Sequence, residues 1–254
     1  MRRVDYDDHQ YRVFSRARAV LPENVRLWSG LFRDRLGDAR AVVDVGAGVG
    51  HYSVVLADAL PAAQVLAVEP SARMREVAER EHPHPRVRYV AGSAERLPVE
   101  DASCDGALFS NVMHHVDDRA AAAAEARRVV RTGGTAIVRG SLRDALRSNP
   151  YWSFFPQALE IAERQMPTVA EVVDLFAAAG FEHVASEVIE QPTAVDLDAF
   201  AERISLRAIS SLELLDDDLF EAGMRRLRAA AAAETEPRPV MEKMDLVVLR
   251  RSAG

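Results

Sequence analysis

From residue 41 the chain alternates between two hydrophobic periods, and few folds accommodate such an alternation. Short apolar runs at 41–45, 64–68, 87–90, 105–109 and 135–139 read as buried strands. Segments with helical spacing lie between them, at about 51–59, 70–81 and 117–130. A helix between two strands lets the second run parallel to the first through a right-handed crossover. The pattern predicts an α/β fold, a doubly wound parallel sheet with helices on both faces.

The flanking segments extend this frame. Tyr11, Phe14 and Arg18 lie at helical spacing, and Val25, Trp28, Leu31, Phe32 and Leu36 form an apolar stripe. Pro22 separates two helices there, and Gly37 ends the second. Residues 142–166 read as irregular and aromatic-rich, with Tyr151, Trp152, Phe154 and Phe155. A helix then runs to Ala179, Gly180 stops it, and 181–189 reads as a sixth strand. Two helices over 196–235, split near Asp216–Asp218, precede a last strand at 245–249. The expectation is a single domain over 1–254, with a helical cap at 1–36 and lid additions at 142–166 and 190–240.

Composition removes several function classes. Lys and Arg total 32 against 39 Asp and Glu, a net charge of −7, which argues against a nucleic-acid partner. Cys104 is the only cysteine, so no intrachain disulfide and no cysteine zinc site can form. No metal site is expected. Lys243 is the only lysine, so a Schiff base or a phosphate-loop lysine has no other candidate. The opening residues lack the apolar run of a signal peptide, and no window approaches the ~20 apolar residues of a membrane span. These features read as a cytoplasmic protein with no membrane partner.

The segment Asp44-Val45-Gly46-Ala47-Gly48-Val49-Gly50 falls between a strand and a helix. Glycines there permit a tight turn and close approach of a ligand to backbone. The loop lies at the carboxyl end of the first strand, where open α/β sheets bind ligands. Glu69 ends the second strand about 20 residues later, in position to accept from ribose hydroxyls. The third glycine of the dinucleotide fingerprint would fall at His51, which disfavours a pyrophosphate and favours a nucleoside without phosphates.

These residues resemble the class I S-adenosylmethionine-dependent methyltransferases. The likeness rests on Val42–Gly50, on Ala67-Val68-Glu69-Pro70-Ser71 with Met74, on Ala91–Pro98, on Asp105–Val116 and on Val129–Gly134. It is closest to the broad group that includes ubiquinone and menaquinone C-methyltransferases. The resemblance implies a Rossmann-like sheet of seven strands, mostly parallel with the last antiparallel, and S-adenosylmethionine as cofactor. It implies that Gly46, Ala47 and Gly48 contact the methionine part and that Glu69 holds both ribose hydroxyls. Met74 would pack on the adenine, and Ala94 would offer its backbone to the ring. Ser93 stands where most relatives carry Asp, which weakens the adenine contact there. Asn111 would lie near the methionine moiety, Arg18 would bind its carboxylate, and Tyr11 would line the site. Asp44, Gly50, Pro70 and Glu95 belong to the same motifs. Each has a plain structural alternative: Glu69 as a solvated strand-end acid, Tyr11 and Phe14 as helix packing, Arg18 as a surface arginine.

His114-His115 follows the fourth strand and faces the same edge. Either could be a general base, since its pKa suits neutral pH, or one could pack while the other caps a turn. Methyl transfer from a sulfonium needs chiefly an in-line nucleophile held at about 3–3.5 Å. The implied reaction methylates a small hydrophobic or aromatic molecule, leaves S-adenosylhomocysteine, and suits natural-product biosynthesis. The acceptor would meet the segments 1–36, 142–166 and 190–215, through Trp28, Trp152, Phe154, Phe155 and Phe200. The alternatives are a non-methylating reaction such as cyclisation on the same fold, and a nicotinamide-dependent oxidoreductase. A monomer or a homodimer suits either.

Overall fold

A computed structural model describes residues 11–253. Two helices, α1 (Tyr11–Ala17) and α2 (Pro22–Leu36), precede the sheet. The alternating part runs β1 (Ala41–Val45), α3 (His51–Ala59), β2 (Gln64–Val68), α4 (Ala72–Glu81), β3 (Val87–Val90), β4 (Cys104–Ser110), α5 (Arg119–Val129) and β5 (Val130–Gly140). Three short helices follow, α6 (Arg143–Leu146), α7 (Tyr151–Phe154) and α8 (Pro156–Gln165). The rest is α9 (Val169–Ala178), β6 (Phe181–Ala194), α10 (Leu197–Ser205), α11 (Ser210–Glu213), α12 (Asp217–Ala232) and β7 (Val240–Arg251). The first ten residues of the expected cap lie outside the described residues.

The seven strands form one sheet in the order β3-β2-β1-β4-β5-β7-β6. The first five pair in parallel, and β7 runs antiparallel between β5 and β6. The chain builds outward from β1 in one direction, then returns to its other side with β4. That reversal opens a crevice at the carboxyl ends of β1 and β4.

Each strand feeds both faces because successive side chains point opposite ways. Phe109 and Val138 pack on one face with Val172 and Phe176, while Leu108 and Ile137 pack on the other with Trp28, Phe32 and Leu56. Helix starts follow local chemistry. Ser71 accepts from Met74 N at 3.0 Å, Asp118 from Ala121 N at 2.9 Å, and Thr168 with Glu171 forms a capping box. A third apolar core lies within the helices after β5, around Trp152, Phe155, Phe200, Phe220 and Leu227.

The structure corrects several boundaries. Residues 142–166 are not irregular: they form α6, α7 and α8, two of them only four residues long. Pro150 and Pro156 chop the segment into pieces too short to display a helical period. The region 196–235 holds three helices rather than two, because α11 intervenes between α10 and α12. The fifth strand begins at Val130, ahead of the apolar run at 135–139, and holds the pair Gly133-Gly134. A register shift between Cys104 and Gly106 absorbs the offset. β6 and β7 extend to Ala194 and from Val240, beyond the apolar runs that mark them in sequence.

Candidate active site

The glycine loop leaves β1 and turns back over β2. Gly46 and Ala47 both donate N–H to Val68 O, at 2.8 and 3.0 Å. Gly46, Gly48 and Gly50 have φ of 68°, 57° and 84°. A Cβ on Gly46 would meet Val112 Cγ2 at 2.3 Å, so neither its conformation nor its surroundings admit a side chain. Gly48 needs glycine for conformation, since its nearest neighbour would be Phe14 at 3.7 Å.

Glu69 ties this loop to the next helix. Its Oε2 accepts from Gly48 N and its Oε1 from Ser71 N, each at 2.9 Å. Asp44 lies deeper, 1 % exposed. Its Oδ2 accepts from Ser53 Oγ at 2.6 Å, while its buried Oδ1 has no partner. Burial raises the Asp44 carboxyl to a pKa of about 6; the Ser53 hydrogen bond opposes that, the charge of Glu69 adds to it, and Arg139 opposes it.

These residues face a cavity of about 1070 Å³, its open mouth included. Of the residues singled out in sequence, Asp44, Gly46, Ala47, Gly48, Glu69 and Pro70 line it. So do Arg18, Met74, Asn111 and His115. Asn111 holds φ of 53°, its N–H bonded to Arg139 O at 2.8 Å.

Five others do not line that cavity. Tyr11 packs outside it with Arg73 and Arg12, whose guanidiniums lie 5.8 and 5.4 Å from its ring. Gly50 sits beneath Tyr89, where a Cβ would lie 2.3 Å from the hydroxyl. Ser93 bridges to Arg96, Ala94 is packed in the core, and Glu95 accepts from Asp117 N at 3.0 Å.

A second cavity, about 660 Å³, adjoins the first and shares Phe14, Arg18, Asn111, His115 and Glu242 with it. His114 lines only this second part. The two histidine rings lie 3.8 Å apart, and Ser210 Oγ is 3.4 and 3.5 Å from their Nε2 atoms. Burial, then His115, holds the His114 pKa well below the usual value. Trp152 and Met166 form apolar wall. The expected aromatic wall is otherwise corrected: Trp28, Phe155 and Phe200 are fully buried core residues.

The sequence reading missed Tyr52, Arg139, Gln191, Arg203 and Glu242, which all line the first cavity. Arg139 is 1 % exposed, its Cζ 4.1 and 4.0 Å from the rings of Trp28 and Tyr52, which meet edge to face. Trp28 Nε1 donates to Gln191 Oε1 at 2.6 Å, Gln191 Nε2 donates to Glu242 Oε1 at 2.7 Å, and Tyr151 donates to Glu242. The available signal was a charge within an apolar strand: Arg139 ends one such run and Glu242 interrupts another.

A family described as a methyltransferase domain matches residues 43–138, which hold β1 through most of β5. A demethylmenaquinone methyltransferase of Beutenbergia cavernae is 36% identical over 132 residues, 51% of each chain. The chain spans about half the length of the curated relatives it matches. Among solved structures, a methyltransferase ascribed to an antibiotic biosynthesis pathway of Anabaena variabilis superposes with a TM-score of 0.65 and 24% identity, over 87% of this chain and 96% of that one. The cyclase SpnF superposes with a TM-score of 0.61 and 20% identity, over 94% of this chain and 85% of its own. Both structural likenesses speak to the fold. The family match over 43–138 and the sheet topology together place a methyltransferase-like domain in this part of the chain.

Proposed function

We propose that this protein binds S-adenosylmethionine in the first cavity and transfers its methyl group to a small molecule that reaches into it from the adjoining one. The observation that carries the reading is the Glu69 clamp at the crevice, held by Gly48 N and Ser71 N at 2.9 Å. Those two bonds fix the carboxylate beside the loop, on the cavity wall, where a carboxylate suits a vicinal diol.

Other features of the cavity fit the same group. The unpartnered Oδ1 of buried Asp44 suits an ammonium. The cradle at Gly46 and Gly48 gives close access to backbone. Met74 and Pro70 offer an apolar wall for a purine, and Arg18 offers a guanidinium for a carboxylate. When bound, S-adenosylmethionine supplies a methyl group made electrophilic by its sulfonium.

The residues of this chain then orient, enclose and move protons. His115 lines both cavities and His114 the second, so either can take a proton from an acceptor. The low pKa of His114 keeps that ring neutral and makes it the weaker base, which leaves His115 as the favoured proton acceptor. The helices α6, α7, α8 and α11 contribute to the wall on the acceptor side, and we read them as the lid, part of one functional domain with the sheet. Apolar residues there suit a hydrophobic or aromatic acceptor, as in natural-product biosynthesis.

Calorimetry tests this directly. S-adenosylhomocysteine should bind and NADH should not; tight NADH binding without S-adenosylhomocysteine would overturn the reading. Glu69→Ala should weaken S-adenosylhomocysteine by about tenfold or more, the effect of removing a charged hydrogen-bond partner. Unchanged affinity would remove Glu69 from the ribose role. Incubation with methyl-labelled cofactor and a metabolite extract separates transfer from cyclisation: label should pass to a small molecule.

A further inference from the structure

Three guanidiniums and three carboxylates line the first cavity: Arg18, Arg139 and Arg203 against Asp44, Glu69 and Glu242. The acids have other partners. Asp44 binds Ser53, Glu69 binds two backbone N–H groups, and Glu242 accepts from Tyr151 and Gln191. Among the described residues, neither Asp44 nor Glu242 accepts a hydrogen bond from an arginine.

Arg139 is the most anomalous member. A guanidinium carries five N–H donors, and burying it without partners is costly. Among the described residues Arg139 makes one hydrogen bond, Nη1 to Ser110 Oγ at 2.7 Å, and no ion pair. Its buried Nε has no partner. The rings of Trp28 and Tyr52, edge-to-face at 89° to each other, lie 4.1 and 4.0 Å from its Cζ, and Arg139 lines the cavity. Arg203, from α10 across the cavity, spends Nη1 on Ala19 O and Thr193 O at 3.2 and 3.0 Å. The proposed cofactor brings a single carboxylate, and Arg18 suffices for it.

We infer that the methyl acceptor carries a carboxylate, received by the edge of Arg139 and by Arg203. The inference rests on the cofactor reading given above. A guanidinium presents a planar fork of donors, which matches a carboxylate in two parallel hydrogen bonds. The acids on the same wall make a dianionic phosphate a poor occupant, because Asp44 and Glu242 would repel its second charge. The acceptor is thus an organic acid with an apolar body. Its acid end sits at Arg139, and its body extends toward Trp152 and Met166 in the second cavity.

The test is a titration of the protein saturated with S-adenosylhomocysteine. Benzoate and octanoate are compared with benzamide and octanamide, their uncharged counterparts, and with phenyl phosphate. The acids should bind roughly tenfold or more tightly than the amides, the value of a charge-assisted pair. Arg139→Met and Arg203→Met should each erase most of that preference and leave S-adenosylhomocysteine affinity within about twofold. The wild-type ratio needs no variant, and Arg203 lies outside the sheet core if Arg139→Met fails to fold. Equal binding of acid and amide overturns the inference, as does tighter binding of phenyl phosphate. It is also overturned if Arg139→Met weakens S-adenosylhomocysteine as much as Arg18→Met does while 5′-methylthioadenosine, which lacks the amino acid, binds unchanged: the anion is then the cofactor's own. If the wild type does not bind S-adenosylhomocysteine, the cofactor reading fails separately, and the same ratio measured on the protein alone still decides the carboxylate site.

Discussion

Asp44 shows how one buried side chain makes the site sensitive to pH. Burial lifts its carboxyl from 3.8 to about 6, so the folded protein holds a proton there that the unfolded chain has already released. Its contribution to stability is therefore greatest in acid and is lost as pH rises through that window. Binding runs the other way. The ionised form attracts the ammonium and sulfonium of the proposed cofactor, so S-adenosylmethionine affinity should fall as pH drops below about 6 and level off above it. Asp44→Asn should flatten that profile, measured by calorimetry across pH 5 to 8; an unchanged profile would assign the titration to another group. At this scale the sequence was partly legible. Gly46, Gly48 and Glu69 declared themselves because they follow two adjacent strands and share one contiguous signal. Arg139, Arg203 and Glu242 did not, because β5, α10 and β7 bring them together only through the tertiary fold.

Among the elements, the strands and long helices were readable and the short helices were not. A fifteen-residue helix such as α2 repeats its apolar spacing often enough to be recognised. A four-residue helix such as α7 does not complete a second turn, and its aromatic residues serve the helical core instead of a surface stripe. Gly223 shows how tightly that core is joined. It lies inside α12, where glycine costs about 1 kcal/mol relative to alanine. A Cβ there would meet Phe155 at 2.2 Å, and Phe155 is fully buried. Gly223→Ala should therefore lower Tm by a few degrees despite the better helix former, because overpacking costs about 1–3 kcal/mol. A raised Tm would mean that α7 and α12 separate easily. The same core explains why Phe155 and Phe200 were misassigned to the acceptor wall: an apolar aromatic residue carries no mark of which cavity, if any, it faces.

Across the whole molecule, the reversal of strand order at β1 and β4 fixes where a ligand can bind. The glycine loop, Glu69 and Asn111 come from three strands that meet there and nowhere else. S-adenosylhomocysteine should therefore slow amide exchange at 46–48, near 69–71 and near 111 together, with the edge strands β3 and β6 unchanged. At a concentration of 100 times its Kd it should add about 2.7 kcal/mol to unfolding stability. Protection at only one of the three segments would overturn the shared site. The doubly wound architecture was legible because its period changes at each element, whereas the position of β7 was not carried by any local pattern. That position has a consequence for synthesis on the ribosome. β5 is complete at Gly140, but its neighbour in the sheet begins only at Val240. Until then the nascent chain carries an open edge of backbone donors and acceptors, which favours pairing with other chains. Glu242 and Met244, two walls of the cavity, arrive with that same late strand, so the growing polypeptide acquires its binding site and closes its most adhesive edge in a single event.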